Sequence, residues 1–130
     1  MEVMRMSSVE AAATFHDGGD VPGLDIVYID AVHDLVNIVN DIYVWLPKIR
    51  NGGIISGHDY IGAFKEMATG LEMIFGDDLN LLVKNPDIPA LSYKNTDQGG
   101  NWWVDIDKKK RNLFMGRIEN EFDYLLGKVE

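Results

Sequence analysis

The chain has 130 residues, no cysteine and a formal charge of −9. That length can bury one real core, the missing thiols exclude disulfides and thiolate metal sites, and the negative field disfavours nucleic acid as a partner. No apolar run approaches the roughly 18 residues of a membrane span and no charged-then-apolar leader opens the chain, so the expectation is a cytoplasmic protein with no membrane partner.

In chain order, Ser7 or Ser8 can cap a short helix over Val9 to Phe15, with Glu10 in the first turn where the helix dipole favours an acid. His16 to Gly23 holds paired glycines, Asp and Pro and reads as a turn region. Leu24 to Ile29 is a nearly continuous β-branched and apolar run, the pattern of a strand buried on both faces. Leu35, Ile38, Val39, Ile42, Trp45, Leu46 and Ile49 then fall on one stripe at helical spacing, with Asp34 at the N-cap position. Pro47 should make the last turn irregular, and Asn51-Gly52-Gly53 should stop the helix. Gly53 to Gly57 follows as a short strand. Strand, helix and strand together have the length of a parallel βαβ crossover.

A second helix is expected over Ala63 to Phe75, with Phe64, Met67, Ala68, Leu71, Ile74 and Phe75 inward. A third strand is expected over Leu79 to Lys84. The polar stretch Asn85 to Asn101 is a loop of the length that often carries function. Trp102 to Ile106 reads as a fourth strand with its two tryptophans on opposite faces. The chain closes with an amphipathic helix whose stripe is Met115, Ile118, Phe122, Leu125 and Leu126. The basic run Lys108 to Arg111 reads as the solvated start of that helix, with a local anion patch as the alternative.

The segment Leu24 to Tyr60 concentrates the chemistry. Asp30 and His33 follow the first strand, and His58 and Asp59 follow the second. In an open parallel sheet the carboxyl ends of the strands face the ligand crevice, so four polar groups converge there. His33 is the candidate general base, because imidazole titrates near neutral pH; its alternative role is to cap the following helix or to orient Asp30.

The run DIVYIDAVHDLVNIVNDIYVWLPKIRNGGIISGHDY resembles the second half of a class I S-adenosylmethionine-dependent methyltransferase. It is most similar to the small-molecule O-methyltransferase-like group, with IDAxH and GHDY at the family's spacing. Ser8, Glu10, Ala11, Ala12 and Asn101-Trp102-Trp103 also sit where that group has similar residues, so the resemblance spans about residues 6–106 of a single domain that runs from 1 to 130 and ends in the helix beyond 107. It implies an α/β, Rossmann-like half-fold: a mixed sheet equivalent to strands 4-5-7-6 of the family's 3-2-1-4-5-7-6 order, with flanking helices. Strands 1 to 3, the glycine-rich cofactor loop and the acid after strand 2 have no counterpart in the sequence.

The resemblance also implies roles for residues. Met6, Ser7, Asp30 and Ala31 would contact S-adenosylmethionine, and His33 and His58 would be the catalytic pair. Asp30 and Asp59 match positions that hold a divalent cation in metal-dependent members; oxygen ligands suit Mg²⁺, whereas His58 would favour a transition metal. For Met6 and Ser7 the alternative is a core methionine and a helix cap, and for His58 a hydrogen bond to backbone. Three functions stay open: methyl transfer to a small-molecule hydroxyl, a truncated methyltransferase-like module used for binding or assembly, and a metal-dependent enzyme of another class using Asp30, His33, His58 and Asp59. Strand 24–29, central in the full fold, would be an exposed edge here, which predicts a homodimer through it.

Overall fold

The Ser7 side chain accepts from the Glu10 N–H and donates to Glu10 Oε1 at 2.9 Å, and this cap starts helix α1, Ser8–Ala12. The helix stops short of Phe15, whose ring instead packs against Trp45 with centroids 5.5 Å apart. These observations come from a computed structural model that describes residues 5–17, 23–30, 34–57, 65–82 and 101–128.

Strand β1 is Leu24–Ile29, with the bounds the apolar run predicts. Helix α2, Leu35–Trp45, begins where the Asp34 carboxylate accepts from the Asn37 N–H at 2.8 Å. A 3₁₀ turn over Leu46–Lys48 contains Pro47 and ends the helix earlier than the glycine pair would, since proline cannot supply the N–H that another α-turn needs. Strand β2 therefore starts at Ile49 and runs to Gly57, absorbing residues that the sequence assigned to the helix end. Gly52, at φ +87°, sits in an irregularity inside β2 rather than at a helix cap. Its N–H donates to Ile106 O at 2.7 Å, and the Ile106 N–H donates to Gly53 O at 2.9 Å, so the ladder continues around the irregularity.

Helix α3 is Lys65–Phe75, β3 is Asn80–Leu82, β4 is Asn101–Asp105 and α4 is Lys108–Glu121. The strand order is β1-β2-β4-β3. Strands β1 and β2 are parallel, and β4 is antiparallel to both β2 and β3. This is a mixed α/β sheet with flanking helices, and it fits a Rossmann-like half-fold. The 83–100 stretch, which includes most of the expected polar loop, lies outside the described residues.

Register explains the core. Val27 and Ile29 of β1, Ile55 of β2, and Trp102 and Val104 of β4 share one face and are buried. They pack against Ile38, Val39 and Ile42 of α2, Met67, Leu71 and Phe75 of α3, and Phe114 and Ile118 of α4. The opposite face carries Ile26, Tyr28, Trp103, Asn101 and Asp105, all exposed. The expectation that β1 is buried on both faces is thus corrected: Ile26 is 63% and Tyr28 53% exposed. The described helices pack on one another and on a single face of the sheet, and β1 is terminal among the described strands.

Two arginines of α4 lock this layer. Arg111 is buried, donating to Ile49 O at 2.7 Å, to Asn51 Oδ1 at 3.1 Å and to Leu46 O at 3.3 Å. Arg117 donates to Ile74 O at 2.9 Å and lies over the Phe114 ring. Each guanidinium meets carbonyls at or just past the C-terminus of a neighbouring helix, where orphan acceptors and the dipole both favour a cation. Part of the basic run is therefore interior clamp, not solvated start; Lys110, by contrast, lies at the surface 3.5 Å from Asp78.

Candidate functional site

Parallel pairing aligns the carboxyl ends of β1 and β2. Ile29 pairs with Gly57, so the chain leaves both strands at neighbouring points, about 5 Å apart across a sheet. Asp30 is the first residue beyond β1 and is exposed. His58 and Asp59 follow Gly57 directly in sequence. This register sets the exits of β1 and β2 side by side. His58, Asp59, Ala31 and His33 themselves lie outside the described residues.

Gly57 is required by what lies beside it. A Cβ there would fall 2.7 Å from Cζ2 and 2.8 Å from Nε1 of Trp102, its partner across the β2–β4 ladder. The indole lies almost fully buried against Phe75, with ring centroids 5.6 Å apart. Its N–H meets no acceptor among the described residues. A buried donor of this kind costs free energy unless something accepts from it. Sequence reasoning left open which tryptophan of the pair is core; the glycine opposite Trp102, one residue before His58, is the signal that distinguishes them.

A second feature flanks β1. A groove of about 370 Å³ is lined by Leu24 and Ile26 to Ile29 of β1, by Asp30 just beyond it, by Ser8 and Phe15, and by Asp41 and Trp45 of α2. Inside it the Trp45 Nε1–H donates to Ser8 Oγ at 2.7 Å, and the Ser8 hydroxyl in turn bonds the buried Asp41 carboxyl. Burial raises the Asp41 pKa above the ordinary carboxylate value, the Ser8 hydrogen bond partly offsets this, and Asp34 adds a small upward push. Trp45, expected in the core, is instead half-buried and anchors this relay. Asp41 was not singled out by sequence; its polar position beside the α2 stripe gave no cue that α1 would cover it.

Of the expected cofactor contacts, Ser7 is engaged as a helix cap, which is its alternative role, and Met6 is exposed rather than core. Among the described residues no group of three His, Cys, Asp or Glu side chains could hold a metal ion. No helix among them is long and apolar enough to cross a membrane.

Residues 1–60, which include α1, β1, α2 and β2, match the family described as methyltransferase domain. The match covers less than half of the chain and, with the half-fold, supports a methyltransferase-like domain. No curated protein and no solved structure matches the chain.

Proposed function

We propose that the chain is an S-adenosylmethionine-dependent methyltransferase of the O-methyltransferase-like group, acting on a hydroxyl of a small molecule. In this reading β1, β2, β3 and β4 are strands 4, 5, 6 and 7 of the family sheet, and the observed order β1-β2-β4-β3 is that family's 4-5-7-6. The observation that carries the proposal is the coincidence of the methyltransferase-domain match with the parallel β1-α2-β2 unit, whose two strand ends lie side by side.

The residues available suit such a cofactor. Asp30 places an exposed carboxylate at the crevice, where it can accept hydrogen bonds from an ammonium or from ribose hydroxyls. The Trp102 N–H adds a buried donor beneath the end of β2. When bound, the cofactor supplies an electrophilic methyl group. The chain's own contribution is then to align the acceptor oxygen and to take its proton, the role assigned to His33, with His58 as the second candidate catalytic residue.

Calorimetry with S-adenosylmethionine, run with and without Mg²⁺, tests the reading. Saturable micromolar binding that Asp30→Ala abolishes is the expected result. Absence of heat at millimolar ligand refutes the proposal for this chain and leaves a methyltransferase-like module for binding or assembly. Heat that appears only with Mg²⁺ would bring Asp30 and Asp59 forward as cation ligands.

A further inference from the structure

We infer that the groove between α1, β1 and α2 binds an organic amine, with the Asp41 carboxylate as counter-charge for its ammonium group and the Phe15 and Trp45 rings as walls for its apolar body. The inference does not depend on the catalytic reading.

Asp41 is only 5% exposed, yet it lines the groove. Buried charges in proteins are normally paired, and among the described residues no basic side chain pairs with this one. Lys48 and Arg50, just past the end of α2, are committed to Asp17 and Asp25. Ser8 donates to Asp41 and itself accepts from Trp45. A carboxylate offers about four lone-pair sites, so Ser8 leaves room for a second donor. Burial and the nearby Asp34 both work against the ionised form, and an entering cation would reverse that balance. Glu10 of α1 and Asp30 beyond β1 add exposed negative charge on neighbouring elements, whereas Glu119 and Asp123 act on Tyr43 instead.

Charge and shape select an amine on a flat apolar body. The Phe15 and Trp45 rings line the groove with centroids 5.5 Å apart and planes tilted by 57°. Ring faces attract a cation held within about 6 Å, and they pack against flat apolar groups. The facing wall is the largely apolar β1. A volume of about 370 Å³ admits a ring and a short chain. An anion would meet Asp41 and Asp34, and no group of three metal-ligating side chains is present among the described residues. A neutral ligand would leave the charge on Asp41 uncompensated. An ammonium group supplies both the charge and the N–H donors that Asp41 lacks.

Calorimetry with 2-phenylethylamine tests this, with 2-phenylethanol as its neutral isostere. The amine should bind saturably and at least tenfold more tightly than the alcohol. Asp41→Asn keeps an oxygen that can accept from Ser8 but loses the charge, so it should weaken the amine at least tenfold and leave the alcohol unchanged. Phe15→Leu removes one ring face and should weaken the amine roughly threefold. Between about pH 4 and pH 8 the amine stays protonated, so its affinity for the wild type should rise as Asp41 ionises, and the rise should be lost in Asp41→Asn. The comparison of amine with alcohol uses the unmodified chain and stands even where a variant fails to fold. Absence of saturable heat at 10 mM amine overturns the inference. So does an alcohol that binds as tightly as the amine, an Asp41→Asn chain that binds the amine within threefold of wild type, or identical pH profiles for the two chains.

Discussion

Replacing Arg111 with Met removes a guanidinium while keeping a similar apolar stem. Three acceptors lose their donor: Ile49 O at 2.7 Å, Asn51 Oδ1 at 3.1 Å and Leu46 O at 3.3 Å. The Ile49 contact is short and charge-assisted, worth about 2 kcal/mol; the two longer contacts add roughly 0.5–1 kcal/mol each. Against this, burying the cation has a desolvation cost that Met avoids, which returns about 1 kcal/mol. The expected loss is about 2–3 kcal/mol, a large fraction of the roughly 5–15 kcal/mol typical of a folded domain. With an m-value of about 2 kcal/mol/M, the urea midpoint should fall by roughly 1–1.5 M. Arg111→Lys keeps the charge but lacks the planar fork, and should recover about half of the loss. A midpoint change below about 0.3 M for Arg111→Met would refute the clamp, because the freed carbonyls would then be satisfied by water or relaxation.

Gly57→Ala drives a methyl into the Trp102 indole and should cost about 1–3 kcal/mol of stability, read as a lower urea midpoint together with a shifted tryptophan emission. Asn40 donates to Val36 O and Leu125 O and accepts from the Gly127 N–H; Asn40→Ala should cost about 2–3 kcal/mol and expose the 122–128 segment to protease before the rest. The Asp41 pKa is raised by burial, so its contribution to stability is complete at pH below the ordinary carboxylate value of about 4 and is lost as pH rises through the folded-state value. Asp41→Asn should therefore leave the melting temperature little changed at pH 3.5 and raise it at pH 7, and equal shifts at both pH values would contradict the assignment.

What the sequence made legible is what periodicity and local chemistry encode. The apolar run 24–29, the Asp34 cap, the disruption at Pro47 and the order of elements all appear where those signals put them. The illegible parts depend on neighbours distant in the chain. Nothing in Lys108-Lys109-Lys110-Arg111 says that the last residue points inward; that follows from the carbonyls that Leu46 and Ile49 present to α4. Likewise a β1 that is apolar but for Asp25 suggests a doubly covered strand, yet its exposed face depends on where α2, α3 and α4 pack. The start of β2 was missed because the glycine pair was read as a helix stop, whereas Pro47 had already ended the helix. For the candidate site, the alignment of the two strand ends was legible from the βαβ length, but the Gly57–Trp102 contact needed the antiparallel register of β4.

The crevice and the groove beside β1 meet at Asp30, which follows the strand and lines the groove. If S-adenosylmethionine occupies the crevice and an amine the groove, the two equilibria must be linked: whatever factor the first imposes on amine affinity, the amine imposes on the first. The two proposals nevertheless separate experimentally. Asp30→Ala removes the carboxylate from the crevice but keeps Asp41 and the two rings. It should abolish the heat of S-adenosylmethionine and change amine affinity by less than about threefold, because salt screens an exposed charge. Asp41→Asn should do the reverse, weakening the amine while retaining the cofactor. Loss of both properties in either variant would mean that the groove and the crevice form one site, with the amine standing in for the ammonium group of the cofactor.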